Sequence, residues 1–560
     1  MTPDPRTREA RERARRGVLQ ARRVAEAARL TMRTFLRPLA DLGRFAPRPP
    51  RDGRRRLVLV QLDGVSRGRL ESALAEGYMP FLRARLASGA HALTSARSGA
   101  PASTPAFQAG LFYGIAPSVP GFTWFDRGTG REVRMDNAED AARCERRLSR
   151  GRPGLLRGGT SYFSVFSGGA SAPHFCLSGL AGELDLDWYG RHLNGWDALA
   201  STLAHSVTAA RGVVRLTREV AEGLVDGLRW SLGVGSVRHE LRFLAHRVLI
   251  AGVLRELAVQ SLLVDMSRAI PAVYVDLIGY DETAHRRGPD AHAALRHLAS
   301  ADAALAAVFA AAEAVPELGY DVYVLSDHGH VATRPFETIA GVPLPQYVAM
   351  AERGDPLPRG PRATSSLDLF GRRAQGVVNG VAVAEAGDLA HVYFLHDRGP
   401  LALEAVRRRH RRALAALAAN PAVGILGARG GRRGFALFRG DVLDLADPGD
   451  VGRLPHPEPA LLATYLSDLL SLPESGDLVV LGWRGEGRDV VAYAWEFGSH
   501  GGVAPEELQS FVAHPRGCRF RFADAVRPSE LFAFFERTYR ASDEAAPREA
   551  PAATGAPPAS

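Results

Sequence analysis

The stretch VYVDLIGYDETAHRRGPD, residues 273–290, decides how this chain is read. An apolar, β-rich run leads into Asp281 and His285, four residues apart. If a helical turn follows the strand, that spacing sets a carboxylate and an imidazole on one face. Both groups are good ligands for a dication such as zinc. A single pair of this kind is common on protein surfaces, so its meaning depends on whether other strands also end in ligands.

They do. Upstream, RRRLVLVQLDG (54–64) carries a buried-strand pattern over 57–62 and ends in Asp63-Gly64. Downstream, DVYVLSDHGHV (321–331) is another apolar strand, ending in Asp327-His328-Gly329. Adjacent side chains diverge on a regular strand, so both reach one ion only where the strand breaks into a turn, which Gly329 permits. In DLVVLGWRGEGRDVVAYAWEFGSHGG (477–502), two strand-like runs precede His500, which sits in a glycine turn. Open parallel sheets hold their sites at such carboxyl ends.

A further β-like segment, His91 to Ser95, runs into a Ser/Thr/Pro turn and then a small-residue helix beginning near Pro105. Ser103 and Thr104 stand at its N-terminus, where free amides and the helix dipole favour an anion. A hydroxyl there reads either as a helix cap or as a nucleophile facing a phosphate, and the pattern alone leaves both open. Six potential ligands (Asp63, Asp281, His285, Asp327, His328 and His500) thus accompany two hydroxyls. Two dications about 4 Å apart clamp the attacking and leaving oxygens of an in-line phosphoryl displacement, and one of them activates a hydroxyl that is otherwise inert at neutral pH.

Composition sets the frame. A chain of 560 residues, 46% hydrophobic and 23% charged, reads as soluble and globular, with two to four domains or one large α/β domain carrying insertions. The net charge is +9 and all 70 basic residues are arginine. A bias that complete points to codon usage, so the charge argues poorly for nucleic acid; it remains compatible with a phosphate-bearing substrate or an anionic membrane face. Three widely spaced cysteines, Cys144, Cys176 and Cys518, form neither a disulfide framework nor a thiolate metal cluster. GARGGRRG (427–434) lacks the Walker spacing and lysine and reads as a turn. No run of 18 uncharged apolar residues predicts a spanning helix, and no signal peptide is recognisable, so the expected location is cytoplasmic. A basic helix within residues 1–50 adds peripheral membrane contact as a second reading.

The organisation follows: a basic helical extension over 1–50, an α/β catalytic domain over 51–140 and 269–542, an inserted and largely helical cap over 141–268, and a tail over 543–560 that is disordered by composition. Trp124 and Phe125 read either as cleft-lining or as core residues. His174, His292, His297, His330 and His514 read as ordinary structural or surface histidines.

Taken together, LVLVQLDG, STPAF followed by GLFYG, YDETAHRRGP, VLSDHGH and SHGG resemble the alkaline phosphatase superfamily in its type I phosphodiesterase/nucleotide pyrophosphatase branch, over residues 57–502. The resemblance implies a central, mostly parallel sheet with helices on both faces and an inserted cap. It implies two divalent ions, with zinc suited to the donor set and manganese fitting it too. Asp281, His285 and His500 would hold one ion; Asp63, Asp327 and His328 would hold the other with the nucleophile oxygen. Ser103 is the best match to that nucleophile and Thr104 the alternative. The implied activity is hydrolysis of a phosphoric ester, a diester or pyrophosphate ahead of a monoester, on a small-molecule or lipid substrate and with no nucleic acid partner. A phosphomonoesterase or phosphotransferase of the same superfamily is the alternative, and a non-catalytic protein binding a phosphate ligand is the reading from another class. STPAF lacks the arginine of a sulfatase signature. Two departures stand out: Ala284 replaces the glycine expected before His285, and PGFTWFD (120–126) holds no phosphate-contacting asparagine. Arg127, Arg286 and Arg287 read as surface or loop residues. Oligomeric state is left open.

Overall fold

The computed structural model describes residues 52–181, 255–358 and 377–540, apart from 398, 432, 486–489 and 523, together with positions 217, 252 and 254. The expectations for the N-terminal extension, for most of 182–254 and for the tail lie outside the described residues.

The strands run in chain order as β1 (Arg56–Leu62), β2 (His91–Arg97), β3 (Thr123–Asp126), β4 (Arg131–Arg134), β5 (Thr160–Tyr162), β6 (Ala172–His174), β7 (Ala272–Leu277), β8 (Tyr320–Leu325) and β9 (Val331–Pro335). They continue as β10 (Val381–Ala386), β11 (Leu389–Phe394), β12 (Ile425–Gly430), β13 (Arg433–Phe438), β14 (Asp441–Asp444), β15 (Leu478–Leu481), β16 (Val490–Ala492), β17 (Gly498–Ser499) and β18 (Gln509–Pro515). The helices that matter here are α1 (Arg67–Ala75), α2 (Pro80–Ala87), α3 (Thr104–Tyr113), α4 (Ala138–Leu148), α5 (Arg255–Ser267), α6 (Gly279–Arg287), α7 (His292–Ala314) and α8 (Pro528–Phe535).

Every residue of β1 is buried, and successive side chains enter opposite cores. Val58, Val60 and Leu62 pack with Leu70, Leu82, Leu262 and Leu298 from α1, α2, α5 and α7. Leu57 and Leu59 pack with Phe107, Leu148 and Leu531 from α3, α4 and α8. Coverage of both faces is why the strand reads as a continuous apolar run rather than an alternation. The seven-stranded sheet has the order β2-β18-β8-β1-β7-β5-β6. The five strands from β8 to β6 are parallel, and β18 is antiparallel to both of its neighbours. All the strands but β18 therefore point one way, and their carboxyl ends share one edge.

The boundary of the expected cap is different. The reading opens it at residue 141, yet α4 starts at Ala138 and β5 and β6 extend the central sheet from β7. Trp124 and Phe125 are core residues of the β3–β4 hairpin, 4% and 8% exposed.

One helix among the described residues, α7, is long and apolar enough to cross a membrane by length and composition, a property the sequence reading did not anticipate. In this fold 61% of that apolar window is buried, and the Asp302 carboxylate accepts the Phe81 and Leu82 amides at the start of α2 (2.8 and 2.9 Å). It serves as a core helix.

A second, antiparallel sheet has the order β10-β11-β15-β12-β13-β14. GARGGRRG is not a turn alone: 427–430 end β12 and 433–434 open β13, which pair as an antiparallel hairpin. A small sheet, β16-β9-β17, joins the chain after β8 to the approach to His500.

Candidate metal centre

The carboxyl edge of the central sheet collects the predicted ligands. Asp63 follows β1 directly, and Asp327 and His328 follow β8. Beyond β7 the chain turns at once into α6, so Asp281 occupies the first helical turn and His285 the same face one turn later. Pairing of Gly498 and Ser499 in β17 with Ala332 and Val331 in β9 sets His500 beside His330.

Two groups able to hold a metal ion result. Asp281, His285, His330 and His500 form one; Asp63, Asp281 and His328 form the other, so Asp281 stands between them. In the first, His285 Nε2 lies 3.4 Å from Asp281 Oδ2 and His500 Nε2 lies 3.7 Å from Asp281 Oδ1. In the second, His328 Nε2 lies 3.7 Å from Asp63 Oδ1 and 3.2 Å from Asp327 Oδ2. Asp327 Oδ1 accepts the Gly64 amide, while buried Oδ2 has no hydrogen-bond partner among the described residues. A buried carboxylate oxygen without a donor is costly, and a cation would satisfy it.

The imidazoles are oriented alike. Nδ1 of His285, His328 and His500 faces the carbonyls of Gly498 (3.1 Å), Gly329 (3.2 Å) and Ala102 (2.9 Å). Donation there leaves each Nε2 lone pair aimed at the carboxylates, the tautomer that a metal ligand needs.

The electrostatics suit a cation. Burial, then the neighbouring carboxylates Asp276, Asp327 and Asp281, pushes the Asp63 carboxyl well above the usual range. Burial and Asp281 raise Asp327. Burial alone would raise Asp281 too, but His285 beside it holds that carboxyl well below. Burial lowers His328 and His500 to about 3 and His330 to about 4, so all three imidazoles are neutral at pH 7. His285 differs: despite its burial, Glu496 and Asp281 hold its imidazole well above the usual range, and a dication bound among these carboxylates would displace that proton.

The two hydroxyls separate cleanly. The helix begins at Thr104, with Ser103 as its extended N-cap residue. Thr104 Oγ1 lies 3.5 Å from Asp63 Oδ1 and 3.3 Å from His328 Nε2, inside the second group. Ser103 Oγ makes no capping bond, is buried, and has no hydrogen-bond partner among the described residues. The hydroxyl against the ligands is thus the alternative of the two predicted, because the helix starts at Thr104, one residue earlier than the start near Pro105 that the sequence suggests. Arg127 lies away from the ligands: it pairs with buried Asp477 at 2.5 Å and spans the carbonyls of Phe394 and Asp397.

The sequence profile of the type I phosphodiesterase / nucleotide pyrophosphatase family matches residues 57–386, more than half of the chain. The chain belongs to that family. This family match covers β1 through β10, and so every candidate ligand except His500. Among solved structures, phosphonoacetate hydrolase from Sinorhizobium meliloti 1021, in complex with phosphonoformate, is similar at 15% identity and a TM-score of 0.43, over 89% of this chain and 98% of that one. A comparison with curated proteins finds no match.

One residue of the centre escaped the sequence reading. His330 is read there as an ordinary histidine, yet its Nε2 lies 2.6 Å from Asp281 Oδ1. The signal available was its place two residues beyond His328, where a broken strand returns the chain to the same edge.

Proposed function

We propose that the protein is a metal-dependent phosphoric ester hydrolase of the phosphodiesterase or nucleotide pyrophosphatase type, with a two-ion centre and Thr104 as its nucleophile. The observation that carries this reading is the position of Thr104 Oγ1 between Asp63 and His328, at the N-terminus of a ten-residue helix. Asp281, His285 and His500 would hold one ion, and Asp63, Asp327 and His328 the other. The nitrogen-rich first group suits zinc, and the oxygen-rich second also suits manganese. Bound divalent ions supply Lewis-acid stabilisation of the transferring phosphoryl group and lower the pKa of a hydroxyl beside them.

The chain's own residues do the rest. The first-turn amides of α3, not committed to intrahelical carbonyls, face the non-bridging phosphoryl oxygens. Thr104 Oγ1 forms the new bond to phosphorus as the bond to the leaving alcohol's oxygen breaks. Asp63 Oδ1, 3.5 Å away, is placed to accept the threonyl proton. Water then hydrolyses the phosphothreonine, releasing the phosphorylated product and restoring the hydroxyl. The substrate on this reading is a small-molecule or lipid phosphoester.

The test begins with elemental analysis of protein purified without chelator. About two equivalents of zinc or manganese per chain are expected, with turnover of a chromogenic phosphodiester exceeding that of the matching monoester and abolished reversibly by chelation. Absence of metal after incubation with both ions, or metal without turnover on either ester, sinks the hydrolase reading.

A further inference from the structure

The geometry points to His330 as a positioning residue of the first metal site: its Nε2–H holds Asp281 Oδ1, so that Asp281 ligates through Oδ2 and the ion keeps one coordination position free of protein. This deepens the two-metal reading and rests on it.

Proximity alone places His330 in one group with Asp281, His285 and His500. Distance separates it from the others. Ligands at zinc bond lengths sit at the corners of a tetrahedron whose edge is roughly 3.3–3.4 Å. The spacings His285 Nε2–Asp281 Oδ2 (3.4 Å) and His328 Nε2–Asp327 Oδ2 (3.2 Å) lie about that edge. The His330–Asp281 contact, at 2.6 Å, is far shorter and is a hydrogen bond to a carboxylate.

The tautomer agrees. The other three imidazoles have a carbonyl at Nδ1, which puts their lone pair on Nε2. His330 Nδ1 is buried with no partner among the described residues. If Nε2 ligated an ion, the proton would sit on Nδ1 with no acceptor, at a cost of about 1–3 kcal/mol. With the proton on Nε2, it meets Asp281 Oδ1. The backbone also makes room for this pair. Gly64 has φ +72°, and a Cβ there would lie 2.7 Å from both Asp281 Oδ1 and His330 Cδ2.

The consequence is chemical. Three histidines and an aspartate would close a tetrahedral site, as structural zinc sites are closed; two histidines and one aspartate leave the position that a catalytic ion needs.

Zinc affinity by chelator competition on the full chain, with the absorption spectrum of the cobalt-loaded protein, tests this in His330→Ala, His330→Gln and His330→Asn. Loss of an orienting hydrogen bond weakens metal binding about 10–100-fold. We expect that loss in His330→Ala, with two equivalents still bound at saturation and an unchanged cobalt coordination spectrum. Glutamine, whose amide donor reaches as far as Nε2, should restore most of the affinity; the shorter asparagine should not. Wild-type affinity in the alanine and asparagine variants overturns the proposal. So does loss of one equivalent, or a cobalt spectrum of altered coordination, that glutamine fails to repair, since that marks a ligand. If alanine prevents folding, the glutamine–asparagine contrast decides alone. Turnover on the same samples separates the two readings. No phosphoesterase activity with the expected affinity pattern removes the hydrolase and leaves the His330 role; activity with unchanged affinities does the reverse.

Discussion

Two adjacent hydroxyls should respond in opposite ways. Thr104 Oγ1 reaches Asp63 and His328 at 3.5 and 3.3 Å, whereas Ser103 Oγ is buried with no hydrogen-bond partner among the described residues. Removing a nucleophile that acts as one unit with its activating groups typically removes most of the catalysis, so Thr104→Ala should lower kcat/KM by about 10⁴-fold or more, on the order of 5.5 kcal/mol at 1.36 kcal/mol per tenfold. Thr104→Ser keeps the oxygen and should retain measurable turnover. Ser103→Ala deletes a desolvated, unsatisfied hydroxyl, whose burial costs about 1–3 kcal/mol. It should leave turnover within a few-fold and raise unfolding free energy by about 1 kcal/mol once the small packing loss is subtracted. Initial rates on a chromogenic diester, with urea denaturation read at constant m-value, measure both. Turnover lost in Ser103→Ala and kept in Thr104→Ala would refute the assignment of the nucleophile. A Ser103→Ala variant less stable than wild type would show that its hydroxyl has a partner in the folded protein.

Two further outcomes concern stability. Asp477 is fully buried and accepts from Arg127, Phe394 and Leu401, so Arg127→Ala should destabilise the fold by about 3 kcal/mol, with kcat/KM of the surviving folded fraction unchanged; a selective loss of kcat/KM would instead return Arg127 to the site. Asp388, buried and bonded to the Gly502 amide, has its carboxyl pushed up to about 7 by burial. Between about pH 4 and 7 the unfolded chain therefore holds fewer protons than the native one at this residue, and its contribution to stability falls as pH rises. Asp388→Asn, whose Oδ1 still accepts from Gly502, should flatten that fall in denaturation midpoints taken from pH 5 to pH 8; an unchanged slope would place the titration elsewhere.

The parts of the fold legible in sequence are those where one local pattern dominates. LVLVQL had to be a strand covered on both faces, and the residues just after such strands had to lie at one edge. That β5 and β6 belong to the central sheet was not legible, because three-residue strands carry little periodicity and join it only through the pairing of β5 with β7 and of β6 with β5. In the site, ligands standing immediately after apolar runs were visible one by one. The choice between Ser103 and Thr104 was not. Helix starts are uncertain by a residue or two from pattern alone, and one residue on a helix turns a side chain by about 100°. His330 lay hidden for another reason. Its place two residues beyond His328 hints at the same edge, but its contact depends on Gly64 and Asp281 meeting it in space.

The place of β18 has a consequence for how the molecule comes into being. This strand lies between β8 and β2, so among the described residues the strand leading to Ser103 and Thr104 is joined to the sheet only through a much later segment. Across that seam Thr94 meets His514, 420 residues later in sequence. On a ribosome adding about 5–20 residues each second, the hydroxyl-bearing turn emerges tens of seconds before the strand that anchors it. Until then β8 presents an open edge. Assembly of the candidate site thereby waits for the synthesis of β18, and a chain released before that strand carries an adhesive edge.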